Sequence, residues 1–174
     1  IQLNVEKYGG MICSPWLDRP LSVAGRVLVK STKGVETKLV NIDRDLVIIP
    51  NLAIHMNREV NDGYKFNAQK DMLPLFSTME GKGSFKKTVA DAASVKEEDI
   101  LDWDLFLYNR QKATILGGKE EFIGSGRLDD LQCAFSSLQG ILSAKPKESV
   151  ALHCVYDNEE VGSGTKQGAA STFL

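Results

Sequence analysis

An α/β fold is what this sequence predicts, on three observations. Apolar, β-branched runs dominate residues 21–49, an apolar stripe of helical period covers residues 131–142, and a nearly continuous apolar run follows at 149–156. A run of the last kind marks a strand buried on both faces, and a helix feeding such a strand belongs to a sheet with helical layers.

The elements follow in chain order. Residues 21–30 (LSVAGRVLVK) are apolar and β-branched, and residues 38–43 (KLVNID) repeat the theme after a turn at Gly34. Residues 45–49 (DLVII) are a short buried-strand candidate that stops at Pro50. Pro50 also suits the first position of a helix through Asn51, Leu52, Ala53, Ile54, His55 and Met56. Asn61-Asp62-Gly63 marks a turn, and residues 64–83 read as irregular, with Gly81 and Gly83 near a loop tip. Residues 85–93 read as helix, and Ser94 with Glu97 three positions on forms the S-x-x-E signal that starts another. A strand is expected over 105–108 and a glycine-punctuated loop over 116–126. Leu131, Ala134, Phe135, Leu138, Ile141 and Leu142 then fall at three- and four-residue intervals. Asp129 and Asp130 stand just before that stripe, where a carboxylate suits a helix N-terminus.

Composition narrows the function. The 174 residues suffice for one full domain or two small ones, with 43% hydrophobic and 25% charged residues, an ordinary globular balance. Basic and acidic residues number 21 and 23, a net charge of -2 without a basic cluster, which excludes a nucleic-acid binder. No apolar run is long enough to span a bilayer, and nothing resembles a signal peptide. Cys13, Cys133 and Cys154 are odd in number and widely spaced, so neither a disulfide framework nor a structural zinc site is expected. Cys133, in a helical pattern, and Cys154, in an expected strand, read as small buried hydrophobes in a reducing compartment, which favours the cytoplasm. The chain opens without methionine inside an apparent strand and closes soon after a Gly/Ser-rich loop; the expectation is a piece of a longer protein.

Chemistry centres on Asp157-Asn158-Glu159-Glu160, directly after the apolar run. Within an extended strand, adjacent side chains point to opposite faces, so two consecutive glutamates serve one centre only where the strand ends. Carboxyl ends of strands in open α/β sheets are also where ligands bind. Asp129 holds a comparable place at a loop-to-helix junction, after Gly124-Ser125-Gly126-Arg127. Three converging carboxylates repel one another, and a bound cation such as zinc relieves the repulsion. Two ions bridged by one carboxylate can hold a hydroxide for peptide-bond hydrolysis, while a glutamate outside the ligand set moves the proton. From spacing alone the plainer reading also stands, a solvated turn at Glu159-Glu160 and an N-cap at Asp129.

Ordered motifs along the whole chain resemble the aspartyl aminopeptidase and vacuolar aminopeptidase I family of dinuclear zinc exopeptidases. They are Tyr8-Gly9-Gly10, Trp16-Leu17-Asp18-Arg19-Pro20-Leu21, Ala24-Gly25-Arg26-Val27, Ile49-Pro50-Asn51-Leu52-Ala53-Ile54-His55, Arg127-Leu128-Asp129-Asp130-Leu131-Gln132 and Asp157-Asn158-Glu159-Glu160-Val161-Gly162-Ser163. The last two are the specific ones. The resemblance implies part of a zinc-exopeptidase-like α/β/α catalytic domain, at residues 1–15 and 100–174, interrupted by an inserted β-rich dimerisation domain at 16–99. It implies a metallo-aminopeptidase that removes N-terminal residues, acidic ones by family preference, through a hydroxide bridging two zinc ions. Asp129 matches the bridging carboxylate, Glu160 a ligand of one metal, and Glu159 the general base. The Asp129-Asp130 peptide bond is expected to be cis. His55 matches a histidine that reaches a neighbouring subunit's active site and binds substrate there; some relatives carry another histidine where this chain has Asn51. His153 reads as structural. Partners are a peptide substrate and further copies of the chain, as homodimers that build a dodecamer. Family members have an H-x-D segment upstream of position 1, and an acidic ligand and a histidine beyond 174, so this chain alone is expected to be inactive. The competing reading is a non-catalytic oligomerisation or scaffold module of the same fold.

Overall fold

The computed structural model describes all 174 residues, Ile1–Leu174. They divide into two compact units, one of Ile1–Lys7 with Ile12–Gln111 and one of Tyr8–Met11 with Lys112–Leu174. The elements are mixed α and β.

The first unit is built on an antiparallel sheet of β1 (Leu21–Ser31), β2 (Gly34–Asn41) and β3 (Ile100–Asn109), in the order β2-β1-β3. Alternate β1 residues Val23, Val27 and Val29 face one side, with Val40 and Ile42 beside them. A short helix α1 (Ala68–Asp71) is capped by Asn67, whose side chain accepts from the Gln69 N–H. Helix α2 (Phe85–Ala93) closes the core, because Val89, Ala90 and Ala93 recur on one helical face against those valines. Val27 and Val89 are fully buried. β1 and β3 approach tightly at Gly25, where a Cβ would collide with the Asp104 carbonyl oxygen and lie 2.9 Å from the Leu105 Cα. Arg110 ties the end of β3 to the segment after β2, donating to Asp43 and Asp45 at 2.7 Å each.

Several expectations change here. The strand expected over 105–108 is longer, β3 running from Ile100 to Asn109. Residues 45–49 are buried at Val47 and Ile49 but join only isolated bridges, Val47 to Leu21, Ile48 to Leu75 and Ile49 to Leu17. Residues 51–56 are not a helix: 51–53 carry no regular structure and 54–56 form a turn, with the Met56 N–H donating to the Ala53 oxygen at 2.8 Å. Ser94 ends a helix instead of starting one: it stands at φ 55° and its N–H donates to Ala90 and Asp91, while Glu97–Asp99 make a single 3-10 turn.

In the second unit, β4 (Thr114–Leu116) and β5 (Phe122–Gly124) pair as a hairpin within the segment expected to be a loop. Helix α3 (Leu128–Ser143) follows, with Asp129 at non-helical angles (φ -84°, ψ 116°) inside its first turn. The expected buried strand at 149–156 is absent. Residues 151–156 carry no regular structure, and Val150, Leu152 and Val155 are exposed. The physical reason is pairing: a strand exists only where another satisfies its N–H and C=O groups, and none lies beside this segment. Cys133 and Cys154 are likewise exposed rather than buried, and Cys13 is half-buried; all three are free thiols. No helix is long and apolar enough to cross a membrane.

Candidate metal centre

Two segments of the second unit bring acidic groups together. The first is the entrance of α3, where Arg127 at φ 64° turns the chain sharply and Asp129 follows at extended angles. The peptide bond between Asp129 and Asp130 is cis, as the resemblance implies. The second is the loop after the apolar run, where Asn158 takes a left-handed conformation at φ 71°. Its N–H donates to the Asp157 carboxylate at 2.8 Å, and its carbonyl accepts from the Gly162 N–H at 2.9 Å. Asparagine suits that backbone, because its short side chain tolerates αL better than most residues. Glu159 and Glu160 follow on this turn, outside strand geometry, so the face-alternation objection does not apply.

The charge of the second segment acts on the first. The Asp130 carboxyl is pushed up to about 6, chiefly by its hydrogen bond with Asp129, then by desolvation and by the charges of Asp129, Glu159 and Glu160. None of these four residues belongs to an ion pair with lysine or arginine. Asp129, Asp130, Glu159 and Glu160 are all exposed, so the negative charge is not sealed in a cavity. A divalent cation offsets such crowding, and carboxylate oxygens are suitable donors for zinc. Still, no three His, Cys, Asp or Glu side chains close on a point able to hold an ion. The donor chemistry fits an open, carboxylate-only portion of a metal shell.

The other candidates lie elsewhere. His153 meets α3 through its Nε2, 2.8 Å from the Ser137 hydroxyl, on a segment without the strand expected there. His55 sits exposed on a turn of the first unit, among Leu52, Ile54 and Met56, which are exposed too. At the root of that turn, Asp18 accepts from the Asn51 N–H at 2.9 Å and from its side-chain amide at 2.7 Å. Those two bonds, backbone first, hold the Asp18 carboxyl below its ordinary value.

Sequence reasoning missed three residues. Asp130 stands in the sequence as a helix-start carboxylate and as the second residue of the expected cis bond, with nothing to mark its hydrogen bond to Asp129. Asn51 stands there as part of an expected helix and of a motif, with nothing to mark its bonds to Asp18. Gly9 lies against Glu160 so closely that a Cβ would sit 2.7 Å from the glutamate's Cβ and carbonyl oxygen. Its one sequence signal was the Tyr8-Gly9-Gly10 motif.

Comparison with known proteins places the chain in a family. The family model described as aminopeptidase I zinc metalloprotease (M18) matches residues 1–174. A probable M18 family aminopeptidase 2 of Clostridium acetobutylicum is 48% identical over 180 residues, covering 100% of this chain and 42% of the relative. The chain thus spans less than half the length of the curated relatives it matches. Among solved structures, Chaetomium thermophilum mApe1 superposes with a TM-score of 0.81 at 32% identity, over 100% of this chain and 43% of that one. The S. cerevisiae mApe1 dodecamer gives 0.70 at 29% identity, over 97% of this chain and 40% of that one.

Proposed function

Because the chain belongs to the aminopeptidase I zinc metalloprotease family (M18), we propose that the whole protein is a zinc aminopeptidase whose carboxylate ligands and general base lie in this segment. The observation that supports the reading is the placing of four exposed carboxylates without an ion-pair partner at two turns of the second unit, Asp129 and Asp130 across the cis bond at the start of α3 and Glu159 and Glu160 after Asn158. In this reading Asp129 and Glu160 would be zinc ligands supplied by this segment. Bound zinc supplies Lewis-acid polarisation of the scissile carbonyl and acidifies water. Glu159 stays outside the ligand set, takes the proton of the attacking water, and delivers it to the leaving amine nitrogen. The substrate is a peptide with a free N-terminus, and family preference favours an acidic first residue.

The second unit then belongs to the catalytic α/β domain, and the sheet of the first unit to an inserted dimerisation domain. The protein self-associates, as the dodecameric relative does, and His55 reaches the active site of a neighbouring subunit. The exposed apolar residues around His55 support this, because a turn that displays Leu52, Ile54 and Met56 is suited to burial against another surface. Cytoplasmic residence remains part of the same proposal.

The test is a set of variants in the full-length protein. Glu159→Gln should keep its zinc and lose about 10²–10⁴-fold in kcat on aminoacyl-anilides. Asp129→Asn and Glu160→Gln should lose zinc. A full-length protein without divalent metal, whose Glu159→Gln form behaves as wild type, would instead be a scaffold.

A further inference from the structure

We infer that Gly9 is a positioning residue for Glu160, an inference that rests on the zinc role proposed above for that glutamate. Both residues lie in the second unit. Gly9 stands at φ +66°, in the left-handed region, and a Cβ built there would lie 2.7 Å from both the Cβ and the carbonyl oxygen of Glu160 and 3.0 Å from its Oε2. The first two atoms are backbone or attached directly to it, so they cannot swing aside as a flexible tip does. Glu160 is therefore seated against the bare Cα of Gly9. The demand is specific to this position, because a Cβ on the adjacent Gly10 meets nothing within 4 Å.

The loop around Glu160 is tied at other points, which leaves Gly9 as the wall on this side. The Tyr8 hydroxyl lies 3.5 Å from the Asn158 side-chain oxygen. The Gly162 N–H donates to the Asn158 oxygen at 2.9 Å, and the Ala170 N–H to the Ser163 oxygen at 3.0 Å. Gly168 packs so tightly on Ser163 that a Cβ would collide with its carbonyl oxygen. A loop pinned in this way passes a push at the Glu160 backbone on to its carboxylate. Metal ligation tolerates only about 0.2 Å of error in distance, so a small push weakens binding.

The experiment uses the full-length zinc-loaded enzyme with Gly9→Ala, Gly9→Asn, Gly10→Ala and Glu160→Gln. Zinc retention against a graded chelator, kcat and KM separately, and far-UV circular dichroism are measured. Gly9→Asn keeps the left-handed backbone accessible while adding the Cβ, so it separates the contact from conformational strain. Both Gly9 variants should hold zinc about 10–100-fold more weakly, with lower kcat, little change in KM and a native spectrum. Gly10→Ala should match wild type. Wild-type zinc retention in the Gly9 variants, or equal loss in Gly10→Ala, overturns the inference. So does failure of both Gly9 variants to fold, which would make the contact purely structural. If Glu160→Gln loses zinc while the Gly9 variants keep it, the positioning role alone fails. If Glu160→Gln itself keeps zinc, the ligand assignment fails and this inference with it.

Discussion

Asp18 and Asn51 show how much one residue pair decides. The carboxylate accepts both the backbone and the side-chain N–H of Asn51, and this fixes the root of the turn that carries His55. Hydrogen bonds to an ionised carboxylate favour its charged form, which is why the Asp18 carboxyl lies below its ordinary value. The sign of the linkage follows. A depressed folded-state value contributes stability above the unfolded value, and the contribution is lost as pH falls through the folded one. The anchor should therefore hold at neutral pH and open in acid, below about pH 4. Hydrogen exchange at the Asn51 amide measures it directly. Asp18→Ala should speed that exchange several-fold at pH 7, while wild type should approach the same lability only in acid. If the two proteins exchange alike at pH 7, the anchor has no effect on the turn. Glu159, Glu160 and Asp129 take their proposed roles from the resemblance of whole motifs, because spacing alone leaves a solvated turn and an N-cap as equally good readings. The Asn51 and Gly9 contacts were not legible, because each joins residues far apart in sequence and leaves no local pattern.

β1 and α2 were legible for the opposite reason. Their signal is local, Val23, Val27 and Val29 on one face of β1 and a one-faced apolar set in α2, and both sets lie in the packed core. The helix expected at 51–56 fails on the same physics. A segment of about six residues cannot repay its nucleation cost without packing, and Leu52, Ile54 and Met56 are 57%, 48% and 75% exposed. Turns need no such support. The strand expected at 149–156 fails because pairing is non-local, and nothing in an apolar run says what will sit beside it. Where pairing does exist it is tight, and Gly25 is its narrowest point. Gly25→Ala should force β1 and β3 apart and cost about 2–3 kcal/mol. Val89→Ala, which only removes two buried methyl groups, should cost about 2 kcal/mol. Urea unfolding followed by fluorescence is suited to both, since Trp103 lies in β3 with its ring 6.0 Å from Phe85 of α2. A Gly25→Ala chain as stable as wild type would mean that the strands relax without penalty.

The whole molecule divides its apolar surface unevenly. The first unit buries Val27 and Val89 completely, whereas in the second Phe135 is 63%, Val150 93% and Leu152 66% exposed. Surfaces of that kind call for cover, and the relatives are more than twice as long as the aligned segment. The 174-residue chain by itself should therefore bind zinc poorly and leave aminoacyl-anilides uncleaved; sub-micromolar zinc binding by the isolated chain would contradict this. Self-association supplies the sharper test, because a trans-acting His55 makes two different subunits contribute to each site. Take full-length His55→Phe and Glu159→Gln proteins, each nearly inactive alone, and let their subunits exchange. In a mixed dimer one site combines both defects, since the subunit lacking the base faces the one lacking the histidine. The other site receives an intact base and an intact histidine. Random pairing makes half the dimers mixed, each with one good site of two, so activity should recover to about a quarter of wild type. Were His55 to serve its own subunit's site, every site in the mixture would carry one defect and no activity would return. Mixing before and after chemical cross-linking of the subunits checks that exchange, rather than residual turnover, produces the recovery.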